Sequence, residues 1–272
     1  MQVRLQSRRL CAPLCRSAAA LLICTAAAVS GCCSSTCPVN DDDTSQARPE
    51  PQRLWQVLFG DGTGLSQWVT TTGDPVIGWV IQDDPLAITP GEGEPTLCIV
   101  PGSGSIMTRE TFSDFEFHLE FMVPTGLPDD VTGQNRGNSG VYIQRRYEVQ
   151  ILDSYGLPPG NRDCGAVYNF KAPAVNASKP AGQWQTYDIT FHAPTWSFED
   201  DGSGGRTAVK AANARITVYH NGNLIHDDVE VPNKTGAGSP EGPEPGPILL
   251  QDHGNAVRFR NIRIRELQYI NH

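Results

Sequence analysis

The run Tyr147-Glu-Val-Gln-Ile-Leu-Asp-Ser-Tyr155 sets two carboxylates and an amide among apolar residues. Glu148 and Gln150 share one parity, and Val149 and Ile151 take the other. An extended strand here turns an apolar face one way and a polar face the other. Asp153 falls out of phase. A β-bulge at Ile151-Leu152 would absorb the odd residue and return Asp153 to the side of Glu148 and Gln150. Two titratable heads and an amide in one row are the material of an acid and base whose pKa values are driven apart by their surroundings. A solvated strand face fits the same spacing.

The elements that must position this row are short strands with turns between them. Asp114 to Met122 alternates most clearly, with Phe115, Phe117, Leu119 and Phe121 on one side and Glu116, His118 and Glu120 on the other, so His118 is expected in solvent. Asn138 to Gln144 reads as a strand paired with Tyr147-Asp153 through a tight turn at Arg145-Arg146. The domain opens at Leu54-Phe59, and further strands are expected at Trp79-Ile81, Leu86-Ile88, Leu97-Val100, Ile106-Thr108, Cys164-Lys171 and Gln185-His192. Asn221-Gly222 between Arg215-His220 and Asn223-His226 is a type I′ hairpin signal, because both residues tolerate positive φ. The final strand keeps Val257 and Phe259 inward, slips near Asn261, then keeps Ile262 and Ile264 inward, with its arginines on a solvated face. Ser197 to Ala212 reads as a glycine- and charge-rich surface insertion. The expectation is an all-β, two-sheet antiparallel sandwich.

Composition agrees. In 272 residues, 39% hydrophobic with Gly 27 and Pro 21, many short strands joined by turns fit better than helices. The formal charge of −9 argues against nucleic acid or an anionic membrane surface as partner, since both require a basic footprint.

Residues 1–31 read as an export signal, with Arg4, Arg8 and Arg9 before the apolar stretch Ala18-Val29. Val29-Ser-Gly-Cys32 resembles the lipobox of bacterial lipoproteins, which implies lipidation at Cys32 and attachment to a bacterial membrane, facing periplasm or cell surface, through that anchor alone. Residues 32–52, rich in Ser, Thr, Pro and Asp, form a tether, and 53–272 the folded domain. Cys98 lies in an apolar run and is expected as a buried small hydrophobe.

The motifs Asn138-Ser-Gly-Val141, Tyr147-Glu-Val-Gln-Ile-Leu-Asp153, Lys179-Pro-Ala-Gly-Gln-Trp184, Ile216-Thr-Val-Tyr-His-Asn-Gly222 and Gly246-Pro-Ile-Leu-Leu-Gln-Asp-His-Gly254 together resemble the 3-keto-disaccharide hydrolase domain. The resemblance runs from about Leu54 to Leu267 and departs mainly in the loops Thr125-Arg136 and Ser197-Ala212. It implies a concanavalin A-like jelly roll whose groove is faced by Asn138, Glu148, Gln150, Asp153 and the Gln251-Asp252-His253 turn. It also implies a carbohydrate substrate: a ketone at sugar C3 acidifies the C2 hydrogen, so a base removes it and the group at C1 leaves.

On this basis Glu148 or Asp153 is the expected base, and His253 or the other carboxylate the acid. Arg145, Gln150 and Asn138 position the sugar or its enolate, with Gln251 beside them. The sequence establishes no cofactor, and a divalent metal across Glu148, Asp153 and His253 is chemically reasonable. Trp79 and Trp184 are either core or sugar-stacking residues. Two other readings stand beside the enzyme. The same fold serves lectin-like binding modules without chemistry. Glu-x-Gln-x-x-Asp also has the spacing of the bulged strand in laminarinase-type retaining β-glucanases, although Gln150 replaces an acid and Asp153 is shorter than the expected Glu.

Overall fold

The computed structural model describes residues 54–267 apart from 90 and 92; the expected export signal, Cys32 and the tether lie outside the described residues. In chain order the strands are β1 (Gln56–Phe59), β2 (Trp68–Thr70), β3 (Val80–Gln82), β4 (Thr96–Cys98), β5 (Ile106–Thr108), β6 (Phe115–Met122), β7 (Ser139–Ile143), β8 (Tyr147–Ile151), β9 (Gln185–His192), β10 (Thr195–Asp200), β11 (Arg206–Ala212), β12 (Ala214–His220), β13 (Asn223–Val231), β14 (Leu249–Leu250) and β15 (Arg258–Glu266).

Two antiparallel sheets enclose one core. The larger runs β13-β12-β9-β6-β15-β4-β3, with β1 also paired to β15, and the smaller runs β2-β5-β14-β7-β8. Period-two burial builds the interface between them. Phe115, Phe117, Leu119 and Phe121 of β6 meet Tyr187, Ile189 and Phe191 of β9, and the smaller sheet contributes Val141, Ile143, Tyr147, Val149 and Ile151 to the same cluster. Tyr142, Glu148 and Gln150 therefore face away from the core, because alternate side chains of a strand take opposite faces.

Several local signals fold as their chemistry dictates. Asn221 and Gly222 have φ of 50° and 76° and join β12 to β13. The β15 slip is a bulge: register shifts between Arg260 and Arg263, Asn261 has φ 47°, and Phe259, Ile262 and Ile264 all stay buried.

Other expectations are corrected. Leu86 and Ile88 lie in a turn and are exposed, so that apolar triplet is not a strand. Residues Cys164 to Lys171 make isolated bridges, Val149 to Val167 and Val167 to Lys171, because the chain doubles back at once. Ser197 to Ala212, expected as a surface insertion, lies in an exposed hairpin of β10 against β11, apart from the two main sheets. The β7–β8 turn is centred on Gln144 and Arg145, with φ of 51° and 55°, one residue earlier than expected. His118 is buried, its Nδ1 2.6 Å from Asp188, because the outer face of the large sheet carries an ion-pair lattice that covers it. In that lattice Arg260 bonds Glu120 and Asp84, and Arg265 bonds Glu116. Cys98 and Cys164 are buried free thiols.

Candidate active site

The hairpin of β7 and β8 carries the site. Gly140 pairs with Gln150 and Tyr142 with Glu148, so these four positions form one patch on the face opposite the core. Gln134, Asn138, Tyr168, Gly236, Ala237, Gln251 and His253 close the patch into a cavity of about 160 Å³. That is small beside the ~300–1,000 Å³ of drug-sized ligand sites and suits a single sugar ring.

Glu148 sits at its floor, 3% exposed. Its backbone N–H donates to Thr235 Oγ1 at 2.8 Å and its carbonyl accepts from Tyr168 N–H at 2.9 Å, so the residue is held from both sides. The Tyr142 hydroxyl donates to Glu148 Oε2 at 2.7 Å. Burial pushes the Glu148 carboxyl up to about 7, against a smaller opposing pull from the Tyr142 hydrogen bond. Burial and the neighbouring Glu148 charge hold the Tyr142 phenol protonated. Two glycines make room for this carboxylate. A Cβ at Gly140 would lie 2.6 Å from Glu148 Oε1, and a Cβ at Gly236, where φ is +54°, would overlap Glu148 Oε2 and stand 3.1 Å from Tyr142 Oη.

Around the acid lie amides. Gln150 Nε2 donates to Gln134 Oε1 at 2.9 Å, and Asn138 Nδ2 donates to Gln134 O at 2.6 Å. Asn138 Oδ1 and Gln251 Oε1 are buried without a hydrogen-bond partner. Buried acceptors in that condition are rare in folded proteins, and both residues line the cavity. His253 lies exposed at the rim.

The structure thus gathers Glu148, Gln150, Asn138, Gln251 and His253 of the expected residues, and it leaves Asp153 and Arg145 elsewhere. The β7–β8 register is regular to Ile151, where the ladder ends, and beyond it Asp153 N–H donates to Arg136 O. Ile151 and Leu152 are both buried, and Asp153, which does not line the cavity, accepts a hydrogen bond from Arg136 Nε at 2.8 Å. Arg145 belongs to the hairpin turn, where its carbonyl accepts from Ser239 N–H. Asp252 caps its own turn by accepting from Gly104 and Gly254 N–H. With Asp153 removed, the expected metal triad does not assemble; among the described residues no group of three His, Cys, Asp or Glu is placed to hold an ion. Trp79 stacks on Phe259 in the core, and Trp184 packs over Arg260, 4.1 Å from its guanidinium, so neither faces the cavity.

Sequence reasoning missed Tyr142, Tyr168, Gln134 and the Gly236-Ala237 corner. Tyr142 had a signal, its parity with Gly140 directly across from Glu148 in an expected hairpin; the loop residues had none.

A family model described as the 3-keto-alpha-glucoside-1,2-lyase-like domain matches residues 54–265. A 3-keto-disaccharide hydrolase of Bacteroides thetaiotaomicron is 24% identical over 246 residues, covering 78% of each chain. Among solved structures, a protein of Parabacteroides distasonis described as a candidate glycosyl hydrolase is 35% identical with a TM-score of 0.61, over 78% of this chain and 84% of that one. A second protein from that organism, 17% identical with a TM-score of 0.52 over 79% of this chain and 94% of that one, shares the fold. By the match across residues 54–265, the chain belongs to the 3-keto-alpha-glucoside-1,2-lyase-like domain family.

Proposed function

We propose that this protein cleaves 3-keto-glycosides, with Glu148 as the base that removes the C2 proton. The observation that carries the reading is a lone acid: among the described residues lining the cavity, Glu148 is the sole carboxylate. Ordinary retaining and inverting glycosidases place two carboxyl groups about 5–9.5 Å apart around the scissile bond. Elimination from a 3-keto sugar needs one base, because the ketone already acidifies C2. Glu148 takes the C2 proton, the electron pair forms the C1–C2 double bond, and the C1–O bond breaks as His253 gives the leaving oxygen a proton. Water then adds across the double bond, its hydroxyl to C1 and its proton to C2, which makes the sum a hydrolysis. The orphan acceptors Asn138 Oδ1 and Gln251 Oε1 take sugar hydroxyls, and the Tyr142 hydroxyl holds the carboxylate in place. A lectin-like site has little use for a buried acid near neutrality, and a β-glucanase lacks its second carboxylate here.

The pH profile tests the role of Glu148. A base must be ionised, so kcat/KM on methyl 3-keto-α-glucoside falls about tenfold per pH unit below about 7. An activity that holds constant from pH 5 to 8 removes Glu148 from the role.

Asp153 supplies the contrasting case. Its carboxylate and Arg136 are mostly buried as a pair, with side-chain exposures of 10% and 27%. Asp153→Asn lowers stability to thermal unfolding by roughly 1–2 kcal/mol and leaves kcat/KM within about threefold. A loss of activity as deep as that of a Glu148 variant would return Asp153 to the chemistry.

A further inference from the structure

We propose that a second hollow beside the cavity, built on Phe170 and the Asn233-Lys234 corner, is the subsite for the leaving group, and that it takes a second sugar ring. The hollow measures about 270 Å³ and shares Tyr168 and Gly236 with the cavity that holds Glu148. The two hollows are therefore neighbours, and the second is where a ring bonded through C1 to the inner sugar would lie. This inference rests on the proposed cleavage at C1.

Its two sides are tied to the base itself. On one side, Val167 and Lys171 exchange backbone hydrogen bonds and hold Tyr168-Asn169-Phe170 at the tip of a tight loop, with Asn169 at φ 57°. Tyr168 N–H donates to the Glu148 carbonyl at 2.9 Å. On the other, Thr235 Oγ1 accepts from Glu148 N–H at 2.8 Å, and Thr235 N–H donates to Arg146 O. Both rims of the hollow are thus fixed against the residue that does the chemistry, which is the rigidity a leaving-group site needs.

Phe170 supplies the surface. It is 43% exposed although its loop is anchored at both ends, and it lines the hollow. Sugar rings carry apolar C–H faces and polar edges. Phe170 suits the face, while Asn233 and Lys234 stand at the edge as polar partners.

The experiment compares two substrates, a 3-keto-α-glucosyl-glucose disaccharide and methyl 3-keto-α-glucoside, and reads the ratio of their kcat/KM values. Phe170→Ala is expected to lower that ratio about tenfold, and Phe170→Trp to restore it, because stacking needs only an aromatic face. Phe198→Ala, an equally exposed phenylalanine in the β10–β11 hairpin, leaves the ratio where it was. A second arm does not depend on turnover. In the Glu148→Gln background, calorimetry is expected to show Phe170→Ala weakening the disaccharide about tenfold more than the methyl glycoside. An unchanged ratio, or equal losses on both substrates and in both binding titrations, overturns the subsite. If neither substrate is cleaved by the unaltered protein, the proposed chemistry fails, and the binding arm still decides the subsite.

Discussion

Glu148→Gln is expected to cut kcat/KM on methyl 3-keto-α-glucoside by roughly 10³-fold and, at the same time, to stabilise the fold at pH 8. Both results come from one cause. Burial lifts this carboxyl from its ordinary 4.5 to about 7. A group whose folded pKa is raised is bound in its protonated form more tightly by the folded chain. Below about 4.5 the carboxyl is neutral in folded and unfolded chains alike, and no penalty arises. As pH climbs from there to about 7, the unfolded chain ionises first and stability falls. Above about 7 the folded protein also carries the buried charge, and the whole penalty is in place. At ~1.4 kcal/mol per pH unit this amounts to about 3 kcal/mol. Glutamine keeps the acceptor for the Tyr142 hydroxyl and carries no charge, so its advantage appears at pH 8 and vanishes near pH 4. Denaturant titrations at the two pH values check it. A Glu148→Gln protein less stable than its parent at pH 8 would show that the carboxylate is a structural anchor rather than a base kept at a cost.

The second large effect is expected from Gly236→Ala. Two separate strains meet at this position. The left-handed φ of +54° costs an alanine about 1 kcal/mol, and the new methyl overlaps Glu148 Oε2 and approaches Tyr142 Oη. The carboxylate can escape only by turning away from its hydroxyl partner, since Gly140 on the other side leaves no more room than a hydrogen needs. A displacement of about 1 Å at the base corresponds to a loss near 10²-fold in kcat/KM. The clash and the backbone strain separate in a double-variant cycle. Combined with Glu148→Ala, which removes the overlapping oxygen, Gly236→Ala retains its backbone strain and the approach to Tyr142 Oη, and destabilises by about 1–2 kcal/mol. Equal destabilisation in both backgrounds would mean that the corner does not press on Glu148.

What could be read from the chain in advance follows from how local each signal is. The β6 alternation, the Asn221-Gly222 turn and the phase slip at Asn261 were all legible, because neighbouring residues decide them. Glu148 and Gln150 were legible as a polar face for the same reason. Asp153 was not. Its place depends on how the chain leaves the strand after Ile151, where Leu152 is buried and the guanidinium of Arg136, seventeen residues away in sequence, bonds the carboxylate. Tyr142 was overlooked because a tyrosine among alternating valine and isoleucine resembles core; only its pairing with Glu148 shows otherwise. The β10–β11 hairpin was hidden by the glycines and charges at its tip, although Trp196 and Phe198 alternate within it. Tyr168 and Gly236 come from loops, where no periodicity marks which side chain will meet the site.

Cleavage of methyl 3-keto-α-glucoside in deuterium oxide, followed by proton NMR of the released sugar, tests the central claim most directly. Removal of the C2 hydrogen by Glu148 and later addition of water predict deuterium at C2 of the product, in excess of the exchange seen without protein and lost with Glu148→Gln. A released sugar that keeps its C2 hydrogen, formed at the full rate of cleavage, would contradict the account.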